Sequence, residues 1–287
     1  MAARSGILVK GGGIALERSH KVDIIAFDKT GTLTHGKPVV TESMVFPNSE
    51  FPSENDIWVI ISTVESASDH PLAKAAVFYA TQKSSMNSIE TLTLSNGLFI
   101  THIEEIGGRG LKARLSKSKD GIDKDNAAHH IYIGNQNWLN EMHCEIDSNS
   151  NRGDSALIDI IRAWQSKGHS IIFVGIRSID SIRGKIIGLF ALADSIRSES
   201  KEILKQLRKK NIDVWMITGD HPITANAIGK ELEFNSDKII SQVLPHEKAE
   251  KIRYLQEIQG KNGKSSIVAM VGDGINDSPA LAQADIG

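Results

Sequence analysis

The stretch Val22-Asp23-Ile24-Ile25-Ala26-Phe27, running into Asp28-Lys29-Thr30-Gly31-Thr32-Leu33-Thr34, decides the fold. Its first half is apolar and rich in β-formers, the pattern of a strand buried in a parallel sheet. Asp28 then stands just past the strand's C-terminal end, where open α/β sheets place their ligands. Gly31 lets the backbone turn sharply and approach an anion. Thr30, Thr32 and Thr34 add hydroxyls and exposed N–H groups that suit phosphate oxygens. A carboxylate in this setting suits a nucleophile that accepts a phosphoryl group.

The run Asp28–Thr34 resembles the phosphorylation motif of P-type ion-pumping ATPases, which belong to the haloacid dehalogenase superfamily. Hydrolytic phosphatases of that superfamily carry a second Asp two positions after the nucleophile, as general acid/base. Here that position is Thr30. The resemblance therefore implies an aspartyl-phosphate that hydrolyses slowly, as a pump requires.

Working outward, the same strand-turn signature returns near the C-terminus. Ile212 to Ile217 ends in Thr218-Gly219-Asp220, and Ser266 to Val271 ends in Gly272-Asp273-Gly274-Ile275-Asn276-Asp277. Ile186 to Leu192, ending at Asp194, reads as a third such strand. Helix-like sequence follows at Ser198 to Lys210, Thr224 to Leu232 and Glu247 to Gln259. Strand, acidic turn and helix in repetition predict a doubly wound α/β domain. With Val22 to Phe27 in its sheet, that domain is split in sequence. Its expected bounds are 1–44 with 185–287, and an α+β domain is inserted at 45–184. Polar stretches at Lys83 to Ser88, Ser116 to Asn126 and Asp147 to Asp154 read as loops of the insertion. Pro71 to Ala80 reads as a helix capped near Asp69 or His70, and Ile131 to Ile133 and Ile171 to Ile176 read as strands.

Composition sets limits. The 287 residues suggest about two domains. A formal net charge of −2 gives no electrostatic case for a nucleic-acid or anionic-membrane surface. The single cysteine, Cys144, excludes an internal disulfide and fits a reducing compartment. No apolar stretch approaches the roughly 20 residues of a membrane helix. The opening Gly6-Ile7-Leu8-Val9-Lys10-Gly11-Gly12 resembles the segment after a membrane helix in heavy-metal ATPases. The chain stops at Ala284-Asp285-Ile286-Gly287, where that family's pattern runs on. Both ends lead us to expect a soluble piece of a larger integral membrane pump, lying on the cytosolic face.

Phosphoryl transfer is mainly positioning plus electrostatic stabilisation. Asp28 approaching an anionic phosphate needs a cation between them, and Mg²⁺ takes carboxylate, phosphate and water oxygens. Asp28, Asp273 and the Thr30 carbonyl fit such a shell, with Asp277 orienting it and Asn276 hydrogen-bonding the phosphate. The resemblance implies further roles. Lys29 belongs to the motif itself, and Thr218, Gly219 and Asp220 match the block whose Thr contacts the transferred phosphate. Lys248, after Leu244-Pro245-His246-Glu247, matches the lysine that neutralises phosphoryl charge.

Within the insertion, Glu65-Ser66-Ala67-Ser68-Asp69-His70-Pro71-Leu72 resembles the nucleotide-domain signature of heavy-metal P-type ATPases. Gly108-Arg109-Gly110 and Gly134-Asn135 resemble its companion blocks. The resemblance implies that Glu65 and His70 meet the adenine end of ATP. It also implies that Gly108 and Gly110 let the backbone approach nucleotide, and that Asn135 helps hold it. Arg109 is a departure, a charged residue placed to reach a phosphate. No Walker A loop is present, so ATP must bind by this route. Val268 to Gly287 and Val243-Leu244-Pro245 resemble copper pumps most, so copper is the expected cargo. The expected partners are ATP, Mg²⁺ and the membrane and actuator domains of the same pump. Two rival readings are a soluble phosphatase with the insertion as its cap, and a regulatory module that binds ATP without chemistry.

Overall fold

A computed structural model describes residues 12–48, 51, 53–84, 94–117, 127–146, 154–260, 263–274 and 277–287. Asn276 and the opening segment 6–11 lie outside the described residues. In chain order the first elements are α1 (Gly12–Ser19), β1 (Ile24–Asp28), β2 (Val39–Val45), α2 (Glu54–Glu65) and α3 (Pro71–Lys83). Then come β3 (Phe99–Ile106), β4 (Gly110–Ser116), β5 (Ala127–Gly134), α4 (Gln136–Glu141), β6 (Cys144–Glu145) and α5 (Asp154–Ser166). The rest are β7 (Ser170–Ser178), β8 (Gly184–Ala193), α6 (Ser200–Lys209), β9 (Asp213–Ile217), α7 (Pro222–Glu231), β10 (Ile239–Ile240), α8 (Lys248–Glu257), β11 (Val268–Val271) and α9 (Ser278–Gln283).

The chain divides into two compact units, Met1–Gly36 with Ser195–Gly287, and Lys37–Asp194. The first is built on a four-stranded sheet in the order β10-β9-β1-β11. Each of its pairings is parallel, as the apolar runs predict. Side chains alternate across the pleat. Ile24, Ala26, Trp215, Ile217, Val268 and Met270 pack with Ile252 and Leu255 of α8 and Ala280 of α9. Phe27, Val214 and Met216 pack on the other side with Leu204 of α6 and Ala225 and Ile228 of α7. Helices on both faces make this a doubly wound sheet, and the C-terminal ends of β1, β9 and β11 come level.

The second unit holds a seven-stranded sheet with the path β2-β8-β7-β5-β4-β3, and β6 beside β8. Pairs along the path are antiparallel, and β6 runs parallel to β8. Alternation works here too. Ile131, Ile133, Ile172 and Val174 face α2 and α3 residues such as Ile57, Ile60 and Ala76. Tyr132, Phe173 and Leu189 face Trp138 and Leu139 of α4 and Leu157 and Ile161 of α5.

Two expectations are corrected. Ile186 to Leu192 is not a strand of the parallel sheet. It lies in β8, antiparallel to both β2 and β7, so it belongs to the inserted unit. For the same reason the insertion is wider than 45–184. Val39–Val45 is β8's partner, so the unit's edges lie at Gly36/Lys37 and Asp194/Ser195. An apolar run ending in an acidic residue cannot by itself tell a parallel strand from a central antiparallel one.

Candidate active site and nucleotide site

Asp28 is the last residue of β1, opposite Ile217 of β9. The five residues after it coil tightly, and the Thr34 N–H donates to the Lys29 carbonyl at 3.1 Å. Thr30 is extended (φ −77°, ψ 124°), and Gly31 takes φ +79°, a conformation that disfavours side chains. A methyl group on Gly31 would lie 3.6 Å from Asp273 Oδ2, so Asp273 borders this loop.

A buried ionic cluster surrounds Asp28. Lys248 Nζ, at the start of α8, donates to Asp28 Oδ1 at 2.6 Å and to Asp277 Oδ1 at 2.5 Å. Asp28 is 6% exposed and Asp277 1%. Lys29 points the other way, to Asp220 Oδ2 at 2.6 Å. Thr218 donates its hydroxyl to Asp220 Oδ2 at 3.0 Å and accepts from the Asp220 N–H at 3.2 Å. Gly219 sits in that turn, between β9 and α7. Thus Asp28, Lys29, Thr218, Asp220, Lys248, Asp273 and Asp277 converge at the C-terminal end of the sheet.

Burial pushes the Asp28 carboxyl up to about 6, against the pull of Lys248, with Asp277 adding to the rise and Lys29 opposing it. Burial pulls the Lys248 ammonium down, but Asp28 and Asp277 outweigh it and hold it above its usual range. Asp28 is therefore ionised at neutral pH and beside a firm cation. As pH falls through about 6 Asp28 gains a proton, so a phosphoryl acceptor at this position should label more slowly there. Stability responds with the opposite sign. The folded chain holds this proton more tightly than the unfolded one, so Asp28's own contribution to stability declines between about 4 and about 6 as pH rises. Quench-flow labelling across that range checks the first sign, and denaturant titration of Asp28→Asn against the wild type checks the second.

The oxygens present fit a hard cation. Asp28 and Asp277 share the Lys248 ammonium, and Asp273 brings a further carboxylate to the edge of the loop. Asp277 Oδ2 is buried without a hydrogen-bond partner. Among the described residues no group of three or more His, Cys, Asp and Glu side chains is placed to hold a metal ion by itself. An open set of few carboxylates suits Mg²⁺, which retains waters and shares phosphate oxygens.

A strap missed by the sequence reading braces the loop after Asp28. Arg197 donates from Nε to the Thr34 carbonyl and from Nη2 to the Gly31 carbonyl, both at 3.0 Å. The Leu33 carbonyl accepts from the Arg197 N–H at 3.0 Å and from Ser200 Oγ at 2.9 Å. These bonds turn the loop's carbonyls toward the strap. Nothing local in Ser195–Ser200 points to a loop 163 residues earlier.

In the inserted unit, Glu65 closes α2 and is 4% exposed. Burial, then the nearby Glu105 carboxylate, pushes it up to about 8, so it carries a proton at neutral pH and can donate a hydrogen bond. Ser68 Oγ donates to Glu105 Oε1 at 2.7 Å and accepts from the His70 N–H at 3.2 Å. His70 caps α3 through Nδ1, which accepts from the Leu72 N–H at 3.2 Å. Ser68 and Glu105 thus tie the α2–α3 turn to the end of β3, which leads into Gly108. Neither was singled out in the sequence, because each looks like an ordinary surface residue there.

Gly110 (φ +151°) crosses β5 so closely that a methyl group would lie 2.0 Å from the Ile133 carbonyl oxygen. Protein packing alone therefore demands this glycine. The Asn135 N–H donates to the Arg109 carbonyl at 3.1 Å. Its side chain donates to the Gly108 carbonyl at 3.2 Å and accepts from the Trp138 N–H at 2.9 Å. Gly108, Gly110 and Asn135 are one interlocked turn. Arg109 is paired with Glu141 and lies over the Trp138 ring at 5.8 Å.

The haloacid dehalogenase-like hydrolase family model matches residues 22–285. The copper-exporting P-type ATPase of Staphylococcus epidermidis is 36% identical over 286 residues, covering 100% of this chain and 30% of that protein. The copper-exporting P-type ATPase of Staphylococcus haemolyticus is 37% identical, covering 100% and 29%. The chain therefore spans about 30% of the length of these curated relatives. Among solved structures, the catalytic domain of the CPx-ATPase CopB-B superposes with a TM-score of 0.63 at 24% identity, covering 99% of this chain and 83% of that one, a likeness of fold. A zinc-transporting PIB-type ATPase in its E2.Pi state gives 0.50 at 29% identity, covering 100% and 38%. Among the described residues no helix is long and apolar enough to cross a membrane. The chain belongs to the haloacid dehalogenase-like hydrolase family, and within it is related to the P-type ATPases.

Proposed function

We propose that this chain is the ATP-binding and phosphorylation module of a heavy-metal-translocating P-type ATPase, and that Asp28 is the phosphoryl acceptor. The observation that carries the reading is the buried contact of Asp28 with Lys248 at the sheet's C-terminal end, in a loop with Thr30 where a hydrolase has its second carboxylate. In this reading Asp28, Asp273 and the Thr30 carbonyl hold Mg²⁺. A bound Mg²⁺ would neutralise phosphate charge as the nucleophile approaches. Lys248 keeps Asp28 ionised and oriented, and adds positive charge where the transferred group arrives. The Lys29–Asp220 pair fixes the start of the loop against the Thr218–Asp220 turn. Thr218 and Gly219 face the phosphate, Asn276 is assigned a hydrogen bond to it from the sequence motif, and Asp277 holds Lys248 in place.

ATP enters through the inserted unit. Glu65 and His70 take the adenine, while Gly108, Gly110 and Asn135 shape the wall beside it. The membrane and actuator domains of the whole pump, on whose cytosolic side this module works, complete the cycle. Copper is the proposed cargo, supported by the relatives named as copper exporters. Acid-quenched incorporation of label from γ-labelled ATP tests the reading. Label should appear with Mg²⁺ and vanish on chelation. Incorporation without Mg²⁺, or none in the intact pump, counts against it.

A further inference from the structure

Arg109 is the one side chain projecting from a turn whose other members, Gly108 and Gly110, have none. Among the described residues its head group meets the Glu141 carboxylate and the face of Trp138. The two differ in kind. Trp138 is 7% exposed and packed in the core, so it is a fixed seat. Its Nε1 is buried without a hydrogen-bond partner. Glu141 is 48% exposed, and Arg109 35%, so their ion pair is screened and weak. Glu141 is also the last residue of α4, the end of a helix that disfavours a carboxylate.

We propose that Arg109 is a phosphate-selecting residue of the nucleotide site, held in reserve by Glu141 and released to the polyphosphate when nucleotide enters. This rests on the nucleotide reading of the Gly108–Gly110 turn given above. The guanidinium is planar and always charged, and it binds phosphate oxygens through two parallel N–H groups. A polyphosphate carries several charges against the single charge of Glu141, so it wins the competition for Arg109. The Trp138 face keeps the head group beside the turn during the exchange. The backbone below is locked, because Asn135 accepts from the Trp138 N–H and donates to the Gly108 carbonyl. Only the Arg109 side chain has to move. Glu141 thereby acts as a competitor that lowers affinity for every phosphorylated ligand and leaves affinity for the bare nucleoside alone.

The test is to titrate ATP and adenosine, in parallel, into the full chain and its variants by calorimetry. Arg109→Ala should weaken ATP about tenfold, the scale of one lost charged hydrogen bond, and leave adenosine within about twofold. Glu141→Gln should tighten ATP about threefold and leave adenosine unchanged. Arg109→Lys keeps charge but loses the fork, and should fall between wild type and Arg109→Ala. In the double variant Glu141→Gln should have no further effect. Equal losses of ATP and adenosine in Arg109→Ala would mean a structural role for Arg109. Unchanged ATP affinity in that variant would overturn the assignment equally. Thermal melts of each variant separate misfolding from lost contact. Wild-type protein that binds neither ligand sinks the nucleotide reading itself and Arg109's part in it. ATP and adenosine binding that ignores Arg109 sinks only the present inference.

Discussion

Lys248→Met should lower the unfolding free energy by ~3–5 kcal/mol at pH 8, the cost of stranding buried charge by removing one partner. Lys248 is the shared donor to Asp28 and Asp277, which are 6% and 1% exposed. Methionine fills the stem's volume but leaves two buried carboxylates without the cation they share. Protonation removes that stranded charge, and Asp28 already titrates near 6 in the presence of Lys248. Without the lysine its proton affinity rises further. The destabilisation should therefore shrink as pH falls toward 5, where Asp28 can be neutral. Urea titrations at pH 5 and pH 8 measure it. A loss of equal size at both values would mean that packing, not stranded charge, is what Lys248 supplies. The same variant should fail to take up phosphate, because the cation beside the nucleophile is gone.

Thr30→Asp should shorten the phosphoenzyme's lifetime by about 10²–10⁴-fold, the usual contribution of a general base. Thr30 stands two residues past Asp28, in the extended link between the nucleophile and Gly31. In wild-type protein the loop offers no carboxylate there to take a proton from water. Of the other acids near Asp28, Asp277 is paired with Lys248, Asp220 is paired with Lys29, and Asp273 is assigned to Mg²⁺ in the proposed reading. Chase experiments after labelling give the lifetime directly. If it does not change, Thr30 is not what protects the aspartyl-phosphate.

The phosphorylation unit was readable because its signals are local. Each parallel strand is a short apolar run, and several candidate site residues stand at its end, as Asp28 follows Phe27 and Thr218 follows Ile217. The helix expected from Glu247 to Gln259 appears as Lys248–Glu257 for the same reason. Ile186 to Leu192 misled because its apolar run looks alike in either sheet, and only its antiparallel partners Val39–Val45 and Ser170–Ser178 reveal its place. In the nucleotide turn, sequence supplied the glycines but not their reason. Gly110 is required where β4 crosses the Ile133 carbonyl, a contact between distant segments. Arg197, Ser200, Ser68 and Glu105 stayed hidden because hydrogen bonds across long sequence separations leave no periodicity. Arg109 was noticed as a charge between two glycines, yet its pairing with Glu141 depends on how α4 folds back.

The most direct measurement is acid-quenched phosphorylation of the intact pump from γ-labelled ATP, in wild type and in Asp28→Asn. The wild type should carry an acid-stable, hydroxylamine-labile acyl phosphate, and the variant should carry none, because a neutral amide is a poor nucleophile. Label on serine or threonine, or full labelling of Asp28→Asn, would contradict the account.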